Sequence, residues 1–108
     1  MIRIRCITSY ALPIARDRIA QVKAIFSQNF PKLAEYADKI PDLLTNPFKH
    51  EYQTALLVSE TTLGKVTGFV LLLHFPAIRS SFLDFIAVRK EQWGGGLGSA
   101  LYEAAREY

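Results

Sequence analysis

The sequence predicts an α+β domain of three layers, with helices on both faces of a mainly antiparallel sheet, in the order β-α-α-β-β-β-α. Three stretches carry this reading. Lys65 to Phe75 (KVTGFVLLLHF) is apolar over nearly its whole length, which suits a strand in the middle of a sheet with both faces covered. Pro13 to Asn29 places Ile14, Ile19, Val22, Ala24, Ile25 and Phe26 at near-helical spacing with polar residues between, as an amphipathic helix does. Ser80 to Tyr108 (SSFLDFIAVRKEQWGGGLGSALYEAAREY) reads as a strand, a glycine loop and a helix.

In chain order, Ile2, Ile4 and Cys6 alternate with Arg3, Arg5 and Ile7, giving a first strand with one mostly apolar face that ends at Thr8 and Ser9. Cys6 reads as a small buried side chain, and as the single cysteine it cannot form an internal disulfide. Pro13 suits the first turn of the long helix. A shorter helix is expected from Lys32 to Lys39, with Pro31 at its start and Leu33, Tyr36, Ala37 and Ile40 on one side. Pro41 and Pro47 predict irregular chain after it. Thr54 to Glu60 (TALLVSE) is the second strand, joined to Lys65–Phe75 by a hairpin turn over Thr61–Gly64. Pro76 to Ser80 turns the chain into the fourth strand, Phe82 to Val88. Short links between these strands favour an antiparallel meander. A polar connection, Arg89 to Trp93, leads to the glycine loop Gly94–Gly98 and to a helix opening at Ser99, whose apolar face is Leu97, Leu101, Ala104 and Ala105.

A chain of 108 residues is one domain with a modest core. The net charge of +3 is scattered, and no run interleaves arginines with aromatics, so nucleic-acid binding is not expected. No stretch approaches the roughly 18 to 20 apolar residues of a membrane span. The start MIRIRCITSY lacks the apolar core and cleavage site of a secretory signal, and a reducing cytoplasm fits. His50 and His74 stand apart from each other and from Cys6, so no metal is expected.

The glycine loop carries the chemistry. Gly94, Gly95 and Gly96, then Leu97 and Gly98, leave the backbone almost without Cβ atoms where a helix begins, so several N–H groups can face one anion. A helix N-terminus adds about half a positive charge to those donors. The run is not a P-loop, because no Lys-Ser or Lys-Thr follows it. As a dinucleotide fingerprint it would need its third glycine at Ser99 and an acidic residue past the last position. A plain glycine turn is the bland alternative.

The run L-D-F-I-A-V, a few polar residues, then G-G-G-L-G-S-A-L-Y resembles motif A of the GNAT N-acetyltransferase superfamily, a strand followed by [QR]-x-x-G-x-[GA] and a helix. Gly96 and Gly98 match the paired glycines, whereas Trp93 stands where the family has Gln or Arg. The resemblance implies an acyl-CoA N-acyltransferase-like fold with a mixed sheet, and acetyl-CoA as co-substrate without a metal. It implies that main-chain groups of Ile86, Ala87 and Val88 pair with the pantetheine and the thioester carbonyl. Trp93, Gly94, Gly95, Gly96, Leu97, Gly98 and Ser99 would then surround the pyrophosphate. That fold continues with a further strand and helix, so the 108 residues read as its amino-terminal part, with more chain or a second copy completing the sheet.

Acyl transfer to an amine needs a base and donors for the oxygen that becomes negative. Asp84 is the acid of the fourth strand; its apolar neighbours Phe82, Leu83, Phe85 and Ile86 strip away water and favour a base, while a bond to Arg79 or Arg89 is the structural alternative. The tyrosine that protonates the thiolate in relatives has no counterpart here, and Tyr102 reads as packing. The resemblance assigns acceptor choice to the segment between the first two strands. There Phe30, Tyr36, Phe48 and Tyr52 could wall a pocket or simply form core, and Glu35, Asp38, Asp42 and Glu51 could attract a cationic amine of a small molecule or peptide. Binding of acyl-CoA without turnover, and a ligand-free structural module, are the other readings.

Overall fold

The computed structural model describes residues 3–45 and 52–107; Ile2, Pro47, Phe48, His50, Glu51 and Tyr108 lie outside the described residues. Four strands, β1 (Arg3–Ile7), β2 (Gln53–Glu60), β3 (Val66–Phe75) and β4 (Ser80–Val88), form one sheet in the order β1-β2-β3-β4. Every pairing in it is antiparallel, with Arg5 opposite Val58, Leu57 opposite Val70 and Val70 opposite Ile86. The meander from β2 to β4 is therefore as the short links predict. The hairpin between β2 and β3 closes through Gly64, whose φ of 85° needs glycine.

Helix α1 (Pro13–Asn29) has the bounds its apolar spacing predicts, with Pro13 in the first turn. Its buried Ile19, Val22, Ile25 and Phe26 cover one face of the sheet, against Leu56, Val58, Phe69 and Leu71. Helix α4 (Leu97–Arg106) covers the other face, where Leu97 and Leu101 meet Ala55, Leu57, Val70 and Leu72. Successive residues of β2 and β3 thus face opposite layers, and both layers are dry, which is why these strands are apolar without alternation.

Between α1 and β2 the expected single helix is replaced by a 3-10 turn (Pro31–Leu33), a short α2 (Ala34–Ala37) and α3 (Ile40–Thr45). Pro41 starts α3 rather than breaking the chain, because a first-turn proline gives up an N–H that has no helical partner. Ile40 and Leu44 of α3 are buried in the α1 layer. Helix α4 opens at Leu97, two residues before Ser99, since Gly96 already takes the N-cap position. No helix among the described residues is long and apolar enough to cross a membrane.

The first strand corrects the expected burial of Cys6. Cys6 and Ile4 are exposed, and the face that reaches the core is that of Arg3, Arg5 and Ile7. Arg5 is partly buried and Arg3 lies exposed at the rim of this face, and both converge on Glu60, which is completely buried and stands opposite Arg3. Its Oε1 accepts from Arg5 Nε at 3.0 Å and lies 3.1 Å from Arg3 Nη2, and its Oε2 accepts from Arg18 Nε at 2.5 Å. Arg18 also pairs with Asp17. Burial alone would raise the Glu60 carboxyl, but the hydrogen bonds from Arg5 and Arg18 outweigh it and bring it down to about 2.

Because the folded pKa lies below the ordinary glutamate value of 4.5, the contribution of Glu60 is fully present above about pH 4.5 and is lost as pH falls toward 2. Glu60→Gln, which leaves three guanidinium groups around a neutral amide, is expected to cost about 3 kcal/mol at neutral pH in urea unfolding. The same variant should flatten the fall of stability between pH 4.5 and 2. Gly68 of β3 yields a second expectation: a Cβ there would meet Leu101 Cδ1 at 2.9 Å and Ala87 O at 3.0 Å. Gly68→Ala should cost about 1 to 3 kcal/mol by the same assay, and Gly68→Val more, because α4 must lift from the sheet.

Candidate functional site

The site is built where β4 ends and α4 begins. Arg89 N–H donates to Thr67 O at 2.9 Å and its Nε donates to Val66 O at 2.6 Å, which ties the exit of β4 to β3. On the other side Asn29 Nδ2, at the last residue of α1, donates to Val88 O at 3.2 Å. Trp93 Nε1 donates to the same carbonyl at 3.1 Å. A 3-10 turn over Lys90–Gln92 then reverses the chain into the glycines.

Gly94 and Gly96 have φ of 84° and 80°, backbone that other residues adopt only with strain. A Cβ on either would meet no atom within 4 Å, so a side chain there would fill open space in front of the helix. No side chain caps α4, and its first turn holds no acidic residue. The N–H groups of Leu97, Gly98 and Ser99 therefore have no helical acceptors and are open to an anion, with the positive end of the helix dipole behind them.

These parts enclose an open cleft of about 350 Å³. Of the residues singled out in the sequence, it brings together Ile86, Ala87, Val88, Trp93, Gly94, Gly96, Leu97 and Gly98. Gly95 and Ser99 are exposed on the same loop and first turn without lining the cleft. Asn29 and Gln92 also line it and were not singled out. An asparagine ending a long helix was the available signal for Asn29, but its partner lies 59 residues away.

Asp84 is half-buried and sits apart from the cleft lining. It is the extra residue of a β-bulge, since Leu71 faces Phe85 while Leu72 faces Leu83. Its Oδ2 accepts from the Tyr36 hydroxyl at 2.6 Å, so the partner is a tyrosine of α2 and neither Arg79 nor Arg89. Burial first, and then this bond to Asp84, push the Tyr36 hydroxyl above the ordinary phenol range, and it stays a donor at any physiological pH.

The aromatics offered for an acceptor pocket are mostly core. Phe85 packs on Phe26, Tyr36 and Phe30 with centroids 4.8, 4.9 and 5.4 Å apart, and Tyr52 packs on Phe75 at 5.3 Å. Glu35, Asp38 and Asp42 are exposed, with Asp38 paired to Lys23 at 3.0 Å. Tyr102 is half-exposed rather than packed. Among the described residues no three His, Cys, Asp or Glu side chains come together as a metal site.

The model of the acetyltransferase (GNAT) family matches residues 19–108. Curated protein sequences give no match. Among solved structures, Tetrahymena GCN5 is 22% identical with a TM-score of 0.79, over 97% of this chain and 61% of that one. The catalytic domain of Tetrahymena GCN5 histone acetyltransferase in complex with coenzyme A is 20% identical with a TM-score of 0.73, over 99% and 60%. A ribosomal-protein-alanine N-acetyltransferase from Brucella melitensis is 19% identical with a TM-score of 0.63, over 99% and 70%. The chain thus spans about three-fifths of the length of the two GCN5 structures and shares their fold. The family match takes in β2 to β4, the glycine loop and α4, so the strand, loop and helix that form the cleft are its shared part, and the chain belongs to the GNAT family of acetyltransferases.

Proposed function

We propose that the protein transfers an acetyl group from acetyl-CoA to a primary amine of a small molecule or peptide, with both substrates bound together. The observation that carries this reading is the uncapped N-terminus of α4, preceded by glycines without neighbours, opening on a cleft along the end of β4. Family membership and the coenzyme A complex of the GCN5 neighbour support the choice of ligand.

In this reading bound acetyl-CoA supplies an activated acyl group and a thiolate leaving group. The amides of Gly94, Gly96, Leu97, Gly98 and Ser99 would hold the pyrophosphate, that of Gly95 being donated to Gln92 O at 3.2 Å, and the main chain of Ile86 to Val88 would orient the pantetheine and offer donors to the acyl carbonyl oxygen. Asp84 accepts the proton released by the amine, directly or through water, which requires its carboxylate to be shared with or released from Tyr36. One observation favours binding without turnover as the second reading: Asp84 is already engaged by Tyr36 and does not line the cleft.

Acetyl-CoA at a hundred times its dissociation constant should stabilise the fold by about 2.7 kcal/mol, raising the melting temperature by roughly 10 to 20 °C. Gly98→Glu should keep the fold, because a Cβ there only reaches Val88 Cγ2 at 3.9 Å and a first-turn carboxylate suits the helix. It should abolish that thermal shift and the heat of binding in calorimetry. A parent protein that shows neither signal would remove the cofactor reading. Asp84→Asn separates the two readings: loss of about 100-fold or more in acetylation across an amine panel, with unchanged acetyl-CoA affinity, supports catalysis by Asp84. An unchanged rate would remove that role, and no turnover by the parent would leave binding alone.

A further inference from the structure

Trp93 is the largest side chain of the cleft wall and one that the phosphate-holding amides do not require. It replaces the Gln or Arg of the family pattern. The residue is 61% exposed, although it lines the cleft, and its ring is held in place by the Nε1–H bond to Val88 O. Water on an exposed indole is unfavourable, and a fixed one loses little entropy when a flat ligand covers it. Lys90 Nζ stands 5.9 Å from the ring centroid and is itself exposed, so a cation adjoins the same surface. Next to amides suited to a diphosphate, an exposed indole and a lysine match the remaining chemistry of a purine nucleotide that carries a further phosphate.

We propose that Trp93 stacks on the adenine of coenzyme A, with Lys90 beside the ribose phosphate, and so sets the preference of this site for the nucleotide end of its co-substrate. This rests on the acyl-CoA reading of the cleft. A side chain that stacks on the ring contacts the nucleotide end and leaves the amides of the loop for the diphosphate.

Trp93 is the sole tryptophan of the sequence, so its fluorescence reports on the contact directly. Coenzyme A and adenosine 3′,5′-bisphosphate are each titrated against the protein, with excitation beyond the adenine band, and coenzyme A affinity is measured by calorimetry for the parent, Trp93→Ala and Trp93→Phe. Both ligands should quench the emission. Trp93→Ala should weaken coenzyme A about tenfold or more, and Trp93→Phe, which keeps a stacking ring but lacks the N–H, should recover most of the loss. Equal affinity of the parent and Trp93→Ala overturns the proposal while the acyl-CoA reading stands. So does a Trp93→Phe as weak as Trp93→Ala, or a bisphosphate that leaves the emission unchanged. A parent that binds no coenzyme A by calorimetry overturns both.

Discussion

The close approach of α4 to the sheet at Gly68 is the constraint on which the site depends. A helix can rest this near a strand only where the strand offers no side chain, and here Leu101 Cδ1 lies 2.9 Å from the place a Cβ would take. With α4 at that depth, Leu97 and Leu101 close the second core layer, and the first turn of the helix comes level with the end of β4. The cleft is the gap left between them. A bulkier residue at position 68 would separate the amides of the loop from the end of β4 that forms the other wall of the cleft.

The opposite face adds a second restraint through aromatic packing. Phe26 of α1, Tyr36 of α2 and Phe85 of β4 meet ring to ring, and Phe85 is the neighbour of the bulge residue Asp84. The bulge inserts one residue into the edge strand without displacing the core, because Phe85 keeps its place opposite Leu71. Asp84 is carried to the tyrosine by that shift. The same segment that closes the core between β1 and β2 thereby supplies the hydrogen-bond partner of the acid of β4.

Much of this was legible in the sequence, for reasons that differ by element. Local pattern was enough for α1, for β3 and for the strand, loop and helix of the site, since apolar spacing, a continuous apolar run and a glycine cluster act within a few residues of themselves. Pro41 misled because the residue has two roles, breaking a helix inside and starting one at its first turn, and only the burial of Ile40 and Leu44 decides between them. The burial of Glu60 and the exposure of Cys6 were invisible for one shared reason. The alternation in β1 fixes two faces but not which of them meets the core, and pairing of Arg3 and Arg5 with the buried Glu60, joined by Arg18 of α1, accompanies the face that carries Ile7 to the core. Asp84 was legible as an acid of β4; Tyr36 as its partner was not, being 48 residues away.

A glycine loop left to itself would be a poor binding site, because ordering it on a ligand costs about 1 to 2 kcal/mol of backbone entropy per residue. Here the loop is short of freedom at both ends. Arg89 fastens the chain to β3 through two carbonyls, and Asn29 and Trp93 both donate to Val88 O from opposite sides of the sequence. At the far end Leu97 is buried under the sheet within the first turn of α4. Only Gly94 to Gly96 lie between these anchors, and two of them already hold the positive φ that points the backbone toward the cleft. The glycines therefore serve as fixed geometry rather than as flexibility. That is how a loop with Trp93 in place of the Gln or Arg of the family pattern can still present its amides in order: their direction is set by the clamps on Val88 and Arg89, to which the Trp93 indole N–H itself contributes, and by the seat of Leu97.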